Sequence, residues 1–275
     1  MSPASTAGVK LRGGARRSQG IVPSVLRAIR ILEAVGSAAH PPTLGELARI
    51  LGIPKSSLHD LCTTLLQERL LERTDGGGFR IGVRVLDFYR AYDAATHLGT
   101  EFHRVCEELV PRHEETIVLS VLDGREVVYV ACRNGTQPIA VNYRIGLRLP
   151  AHTTATGKAI LSTLREEEVR ALFSGQPLVR PTRRSIGQVE ELLEELRTTR
   201  ARGYSVDDEE TVEGMCCVGA PLCVSGDVRA GVAFSMVKAR TRRDRLQDLG
   251  GKIRHLATVL SERLGGRVPV CRPRG

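Results

Sequence analysis

The fold of the N-terminal part is decided by residues 43–58, which read TLGELARILGIPKSSL. Thr43 and Glu46 have the spacing of a helix capping box, and apolar residues follow them at helical spacing. Gly52 and Pro54 end this short helix, and a second helix is predicted to start directly after them. A short helix, a tight turn and a longer helix are typical of a helix-turn-helix, whose second helix can enter the major groove of DNA.

The sequence on both sides extends this motif to a winged helix-turn-helix. An amphipathic run from Pro23 to about Gly36 predicts one further helix upstream. Downstream, residues 70–73 and 79–81 predict two short strands, because the glycine-rich stretch 75–78 between them has the composition of a tight turn. Three helices followed by a two-stranded ribbon are the elements of this class of domain.

The remainder of the chain predicts an α+β fold. Apolar residues between 82 and 99 predict a linking helix, and a further helix is predicted over residues 101–113. Beyond these, strands are expected at residues 117–122, 126–132, 139–143, 203–207, 216–224 and 228–237, and helices at 156–163, 166–173, 188–202 and 242–264. A sheet with helices before, within and after it is α+β, because a parallel sheet would need a regular βαβ series.

The composition is that of an ordinary globular protein with basic ends. Hydrophobic residues make up 41% of the chain, and no apolar run approaches the roughly 18 residues of a membrane span. The formal net charge is +9, of which residues 1–22 supply +4 and residues 265–275 supply +3. Basic ends suit an anionic partner such as nucleic acid and equally suit solubility. The seven cysteines form no C-x-x-C pair and no secretory signal is visible, so we expect reduced thiols in the cytoplasm.

Motifs in both halves of the chain have an order and spacing that chance explains poorly. In the first half they are LGELA at 44–48, LGIPKSSLH at 51–59, LLER at 70–73 and FRIG at 79–82. In the second half they are VLDGREVVYV at 121–130, GLRLPAH at 146–152, TGKA at 156–159, RGY at 202–204 and DDEE at 207–210. Together they resemble the IclR family of bacterial transcriptional regulators over residues 22–268.

The resemblance implies a domain plan and a function. The plan is a disordered basic tail at 1–21, a winged helix-turn-helix DNA-binding domain at 22–84, a linking helix at 85–98, a GAF-like α+β effector-binding domain at 99–268 and a tail at 269–275. The implied function is a transcriptional regulator, expected to be a repressor, that binds a pseudo-palindromic double-stranded DNA operator as a homodimer or dimer of dimers. A small organic acid or polar metabolite is the expected effector, and no cofactor or membrane partner is expected.

The resemblance and the helix pattern together predict a DNA-contacting surface on residues 54–68 and on the ribbon. The predicted contacts are Lys55, Ser56, Ser57, His59, Thr63, Arg73 and Arg80. Hydroxyl groups and a free helix N-terminus can hold phosphates or base edges. Ser56 has an alternative role as the cap of its helix. Asp60 stands where the family often has a basic residue, so we expect it to pair with Arg49 or another base, or to accept from a cytosine amine.

The resemblance also predicts the effector contacts. These are Ala155, Thr156, Asp207, Cys217 and Ser235, with Arg148, His152 and Met215 as further candidates for lining the cleft. Ala233 falls where some members have serine, so one hydroxyl group is missing. The nearby TGKA motif is not a nucleotide-binding P-loop, since that motif would need glycine at His152 and serine or threonine at Ala159.

Three other interpretations are weaker. A metal site at Cys216, Cys217 and Cys223, with His152 nearby, is disfavoured because adjacent residues of a strand point to opposite faces. A cysteine-dependent enzyme could use Cys217, His152 and Asp207 as nucleophile, base and orienting group, yet no spacing requires it. An architectural DNA-binding protein would leave the second domain without a role. The sequence therefore predicts neither a metal site nor an enzyme.

Overall fold

The structure is a computed structural model that describes residues 20–136, 143–224 and 229–266. It divides into two compact units, with the boundary between Tyr92 and Asp93. The predicted tails, apart from residues 20–21, and most of the strand predicted at 139–143 lie outside the described residues. No helix in the described part of the chain is long and apolar enough to span a membrane.

The first unit is a winged helix-turn-helix, as predicted from the sequence. Its elements are α1 Pro23–Ser37, α2 Leu44–Leu51, α3 Lys55–Gln67, β1 Leu71–Arg73 and β2 Phe79–Ile81. The two strands pair antiparallel, with Glu72 opposite Arg80. Each element contributes a buried apolar side chain to one core, and these side chains are Ile31, Leu47, Leu58, Leu71 and Phe79.

The turn between α2 and α3 has the local structure that its residues dictate. The Thr43 side chain accepts a hydrogen bond from the Glu46 amide, and the Glu46 carboxylate accepts one from the Thr43 amide at 2.8 Å. Gly52 ends α2 with φ +62°, a left-handed conformation that glycine adopts at little cost. Pro54 is the N-cap of α3, and no described side chain caps that helix. Ser56 is therefore not a cap, and the alternative role considered for it is wrong.

The linking helix predicted over residues 85–98 is interrupted by His97, which has φ +55°. Two helices result, with the bounds α4 Val85–Thr96 and α5 Leu98–Leu109. The Asp93 side chain accepts a hydrogen bond from the Gly99 amide at 2.8 Å and so satisfies one of the free amides at the start of α5. For this reason α5 begins three residues before the helix predicted over 101–113.

The second unit contains one six-stranded antiparallel sheet in the part of the chain that is described. Its strands are β3 Thr116–Asp123, β4 Glu126–Arg133, β5 Arg148–Pro150, β6 Ser205–Asp208, β7 Met215–Cys223 and β8 Arg229–Val237. Their order in space is β5-β4-β3-β8-β7-β6. The sequence did not predict β5, because three residues are too few to show an alternating pattern. The remaining helices are α6 Ala155–Leu161, α7 Glu166–Leu172, α8 Val189–Arg202 and α9 Arg243–Arg263.

The sheet separates two hydrophobic cores. Phe102 of α5 and residues of α9 pack against Phe234 on one face, which we call the α9 face. Ile160 of α6 and residues of α7 and α8 pack on the other, which we call the α6 face. Successive residues of a strand point to opposite faces. Cys216 accordingly belongs to the core of the α9 face and Cys217 to that of the α6 face.

Helix α6 lies against the sheet at a distance that two glycines permit. A Cβ atom on Gly219 of β7 would lie 2.7 Å from the backbone of Ala155. A Cβ atom on Gly157 would lie 2.1 Å from the carbonyl oxygen of Ala151. The Ser205 hydroxyl donates a hydrogen bond to the Ala155 carbonyl at 2.6 Å. These contacts fix the first turn of α6 on the sheet.

Gly157→Ala is expected to destabilise the second unit by about 1–3 kcal/mol, because the added methyl group meets a backbone oxygen that cannot rotate away. Gly251→Ala is the matched control, since Gly251 lies in α9 with nothing within 4 Å of its Cβ position. The control should be neutral or up to about 1 kcal/mol more stable, as alanine favours helix. Denaturant unfolding followed by circular dichroism measures both variants. Equal midpoints for the two would contradict the close seating of α6.

Candidate functional site

The predicted DNA contacts occupy solvent-accessible positions of the first unit. Lys55, Ser56 and His59 of α3 are exposed, whereas Ser57 and Thr63 are half-buried. The opposite side of α3 is buried in the core through Leu58, Cys62 and Leu65. The exposed side of α3 therefore offers hydroxyl groups, an imidazole and an ammonium group to a partner.

The two arginines of the ribbon differ in how far their charge is already compensated. Arg80 Nε donates a hydrogen bond to the Glu72 carboxylate at 2.9 Å, and this bond lowers the pKa of Glu72. The Arg73 guanidinium lies 5.4 Å from the centroid of the Phe79 ring. A phenyl ring carries no net charge, so this contact does not neutralise the arginine. Arg73 is therefore the better placed of the two to meet a phosphate.

Of the protein partners expected for Asp60, which were Arg49 or another base, His59 and not Arg49 lies beside it. Its carboxylate lies 3.6 Å from Nδ1 of His59, and its side chain is 86% exposed. Arg49 lies in the last turn of α2, where a cation complements the helix dipole. The acid at position 60 is thus held on the exposed side of α3.

A cavity of about 120 Å³ lies on the α6 face of the sheet. Its walls are mostly apolar, and they are formed by Val118, Tyr129, Tyr143, Leu147, Leu149, Thr154, Ala155, Thr156, Asp207, Thr211, Val212, Met215, Cys217 and Ala233. Four of the five predicted effector contacts are in this set, together with Met215. Ser235 is outside it, because the Tyr143 hydroxyl donates a hydrogen bond to Ser235 Oγ at 2.9 Å.

A row of polar side chains crosses the sheet at the cavity. Asp207 of β6 is the cross-strand partner of Cys217 in β7, and Cys217 is the partner of Ser235 in β8. Ser235 in turn faces Thr116 of β3. Cross-strand partners lie on the same face of a sheet. Of this row, Asp207 and Cys217 line the cavity and supply a carboxyl and a thiol to one wall, whereas Ser235 and Thr116 lie outside the lining.

Two polar groups of the cavity are unusual: Asp207 is a buried carboxyl, and Thr156 has a buried hydroxyl without a well-formed hydrogen bond. Asp207 is buried and accepts hydrogen bonds from the amides of Glu210 at 2.8 Å and Thr211 at 3.3 Å. Burial raises the pKa of Asp207, and the Lys158 ammonium and these amides partly oppose that rise. Thr156 Oγ1 is buried without a well-formed hydrogen bond to any described residue, although the Tyr129 phenol lies near it.

Behind the cavity, a fully buried lysine meets a buried glutamate. The Lys158 side chain is 0% exposed, and its Nζ donates a short hydrogen bond to Glu210 Oε1. Glu195 Oε1 lies 3.8 Å from the same ammonium group. The sequence showed Lys158 as part of TGKA and gave no sign of its burial, because Glu210 follows it by 52 residues. Only the fold brings the two together.

Two further candidates for the cleft were wrong. Arg148 points away from the cavity to the carboxylates of Asp123 at 2.6 Å and Glu126 at 3.2 Å. His152 is buried, with Nε2 2.8 Å from the carbonyl oxygen of Val179. Both errors arise from partners in distant segments, which satisfy these polar groups outside the cavity.

The structure gives little support to a cysteine nucleophile. Burial raises the pKa of the Cys217 thiol, and the nearby Asp207 carboxylate raises it further, so the thiolate is disfavoured. His152, the base of that alternative, is held by Val179 and packs edge-on against Phe173. Among the described residues, no group of three or more potential metal ligands is present.

Comparison with known proteins identifies relatives over most of the chain. Sequence profiles for the C-terminal domain of the bacterial transcriptional regulator IclR and for the IclR helix-turn-helix domain match residues 91–262 and 24–75. The HTH-type transcriptional regulator XynR of Escherichia coli is 30% identical over 247 residues, which are 89% of this chain and 98% of that protein. The acetate operon repressor of Salmonella typhimurium is 30% identical over 253 residues, covering 90% of this chain and 92% of that protein.

A solved structure is similar over the same span. The repressor BlcR of Agobacterium tumefaciens is 40% identical, with a TM-score of 0.59, over 90% of this chain and 98% of that one. A winged helix joined to a cavity-bearing α+β domain, with these matches, defines a DNA-binding transcriptional regulator. The chain belongs to the IclR family. The family and the fold class predicted from the motifs are thereby confirmed.

Proposed function

We propose that this regulator is a repressor whose affinity for its operator is set by a small effector in the cavity of the second unit. The observation that carries the proposal is the cavity itself, which combines apolar walls with a buried carboxyl at Asp207 and a buried, unsatisfied hydroxyl at Thr156. A buried polar group without a partner costs free energy, and a bound ligand would recover it. Repressor names among the relatives support the direction of regulation.

The proposed effector is a compact molecule with one polar end. The cavity volume of about 120 Å³ is comparable to that of an engineered apolar cavity of about 150 Å³ that binds benzene. Tyr129 and Tyr143, with ring centroids 5.0 Å apart, form part of the wall. The effector is therefore expected to have a more apolar body than the sequence alone suggested, with the small acid or polar group directed to Asp207 and Thr156.

The proposed DNA contacts are the whole predicted set, whose members all reach solvent at least in part, although Arg80 also pairs with Glu72 and His59 lies beside Asp60. The first turn of α3 carries Lys55, Ser56 and Ser57 and has no side-chain cap, so its amides suit a phosphate. His59 and Thr63 follow on the same helix, and Arg73 and Arg80 follow on the ribbon. We propose that these residues contact a double-stranded operator and that the protein acts in the cytoplasm, without a cofactor and without enzymatic activity.

A homodimer is proposed from the exposed apolar surface of α4 and its start. Val83, Leu86 and Phe88 are 57%, 64% and 55% exposed. Large exposed apolar side chains concentrated in one short segment are typical of an interaction surface. A symmetric pair of chains would present two α3 helices to a pseudo-palindromic operator. Analytical ultracentrifugation tests this part of the proposal, and a monomer at micromolar concentration would contradict it.

The test of the proposed function combines effector binding with DNA release. A panel of small acids, alcohols and aromatic acids is screened by thermal shift, and compounds that stabilise the protein are added to the protein–DNA complex. At 100 times its Kd an effector stabilises the fold by about 2.7 kcal/mol. We expect Asp207→Ala to lose at least about tenfold in affinity, because it removes a buried polar partner of the ligand.

Asp208→Ala is the matched control for Asp207→Ala. Asp208 is the next residue of β6, and its carboxylate pairs with Arg184 and Lys238 instead of lining the cavity. This control should bind the effector like the wild type. Equal effector affinity in both variants would place the effector elsewhere, and an effector that binds without altering DNA affinity would refute its regulatory role.

A further inference from the structure

Lys158 lies among more carboxylates than its charge can compensate. Its ammonium contacts Glu210, and its charge also lowers the pKa of Asp207, whose Oδ1 accepts a hydrogen bond from the Glu210 amide at 2.8 Å. One lysine thus serves two buried carboxyl groups. Glu210 Oε2 is buried without a hydrogen-bond partner among the described residues. Glu195 is compensated separately, since Arg202 Nη2 lies 3.3 Å from its Oε1.

The other groups around this cluster add no compensating charge. They are Tyr129 of β4, Tyr143, His152, Cys217 of β7, and Glu195 and Arg202 of α8. Burial raises the pKa values of both phenols and of the thiol and lowers the pKa of the imidazole. All four are therefore neutral near pH 7. The cluster of Lys158, Asp207 and Glu210 is left with one carboxylate in excess.

We propose that Asp207 and Glu210 share one proton, and that this shared proton lets the cavity accept an effector group that carries negative charge. The inference rests on the proposed function, because it assumes that the effector meets Asp207. With the proton present, Lys158 and the two carboxyl groups have no net charge. When the proton is lost, the wall of the cavity carries one uncompensated negative charge in a region of low dielectric.

The direction of the pH dependence follows from this charge balance. Burial raises the pKa of Glu210 to about 7, with Lys158 opposing the rise, and the neighbouring Asp207 carboxyl also has a raised pKa. Because the charge of Asp207 also raises the pKa of Glu210, the two carboxyl groups titrate as a pair. Below about pH 7 the pair keeps its proton, and above it the proton leaves. A negatively charged ligand therefore loses about tenfold in affinity per pH unit once the proton is gone.

The first arm of the test needs no ligand. Carboxyl carbons of the full chain, labelled with 13C at Asp and Glu side chains, are titrated by NMR. The wild type should show a carboxyl that titrates near pH 7. Glu210→Gln, which keeps an oxygen acceptor for Lys158 but cannot hold the proton, should not show it. Glu209→Gln, whose carboxylate pairs with Arg184 at the surface, should behave like the wild type. Absence of any wild-type carboxyl titrating above pH 6 overturns the proposal.

The second arm uses benzoate and its neutral counterpart benzamide, which match the cavity in size. Benzoate should bind the wild type about tenfold more weakly at pH 8 than at pH 6, and benzamide about equally at both. In Glu210→Gln, where Lys158 compensates Asp207 alone, benzoate affinity should not change with pH. Benzoate binding that is independent of pH in the wild type overturns the proposal. If neither compound binds while the carboxyl titration is observed, the assignment of the cavity as effector site fails and the shared proton stands.

Discussion

Replacing Ser57 and Thr63 together with glutamate is expected to abolish specific DNA binding, with a loss of affinity of at least about 100-fold. Both side chains are half-buried and lie outside the buried core set of α3, and each contact to a base edge or phosphate is worth about 1–3 kcal/mol. The added carboxylates would also face the phosphate backbone, where a negative charge is repelled. The change lies outside the buried core of α3, so the fold should persist.

The measurement is fluorescence anisotropy with a duplex that the wild type selects from random sequence. The matched control is the double variant Gln247→Glu and Thr258→Glu, which makes the same change in charge on α9 of the second unit. The control should bind the duplex within a few-fold of the wild type. If the α3 variant keeps wild-type affinity, α3 is not the DNA-reading helix.

The second large effect is expected from Lys158→Met, which should cost about 3–5 kcal/mol in the free energy of unfolding. Removing one partner of a buried ion pair leaves the other partner buried and uncompensated. Here the remaining partners are the carboxyl groups of Glu210 and Asp207, and the cost should be larger at pH 8 than at pH 5, where protonation relieves it. Denaturant unfolding at the two pH values measures this difference.

The double variant Lys158→Met with Glu210→Leu separates charge from packing. Replacing both members of a buried pair by apolar side chains of similar size is often neutral or stabilising. We therefore expect the double variant to recover most of the stability lost in the single one. A double variant as unstable as Lys158→Met would show that the stem of the lysine, and not its charge, stabilises the site.

Local signals in the sequence were sufficient for the first unit. These signals are the capping box at Thr43, the left-handed Gly52 and the helical spacing of the buried positions in α3, and each acts within a few residues. The break at His97 could not be predicted from such local signals. A histidine gives no sequence signal for the positive φ that it adopts here. The hydrogen bond from the Gly99 amide to the Asp93 side chain, which stabilises the start of α5, is equally invisible in the hydrophobic pattern.

The site was predictable where family motifs fix a position on a strand or at a helix start. Asp207 and Cys217 line the cavity because their register in the sheet follows from alternation along β6 and β7. Ser235 obeys the same register but is covered by Tyr143, which follows from the fold alone. Lys158 was beyond prediction, since lysine in a helix is ordinarily solvated and its buried partner comes from another segment.

Strand β8 separates the residues that pack against α9 from the residues that face the cavity side of the sheet. Its even-numbered residues, among them Val232 and Phe234, belong to the core of the α9 face. The odd-numbered Ala233 and Ser235 face the other way, toward the cavity and Tyr143. Under the proposed function, substitutions at these two odd positions are expected to alter which molecule is recognised while the packing against α9 is retained. We therefore expect single substitutions at position 233 or 235 to change the response to a chemical signal without loss of the folded domain.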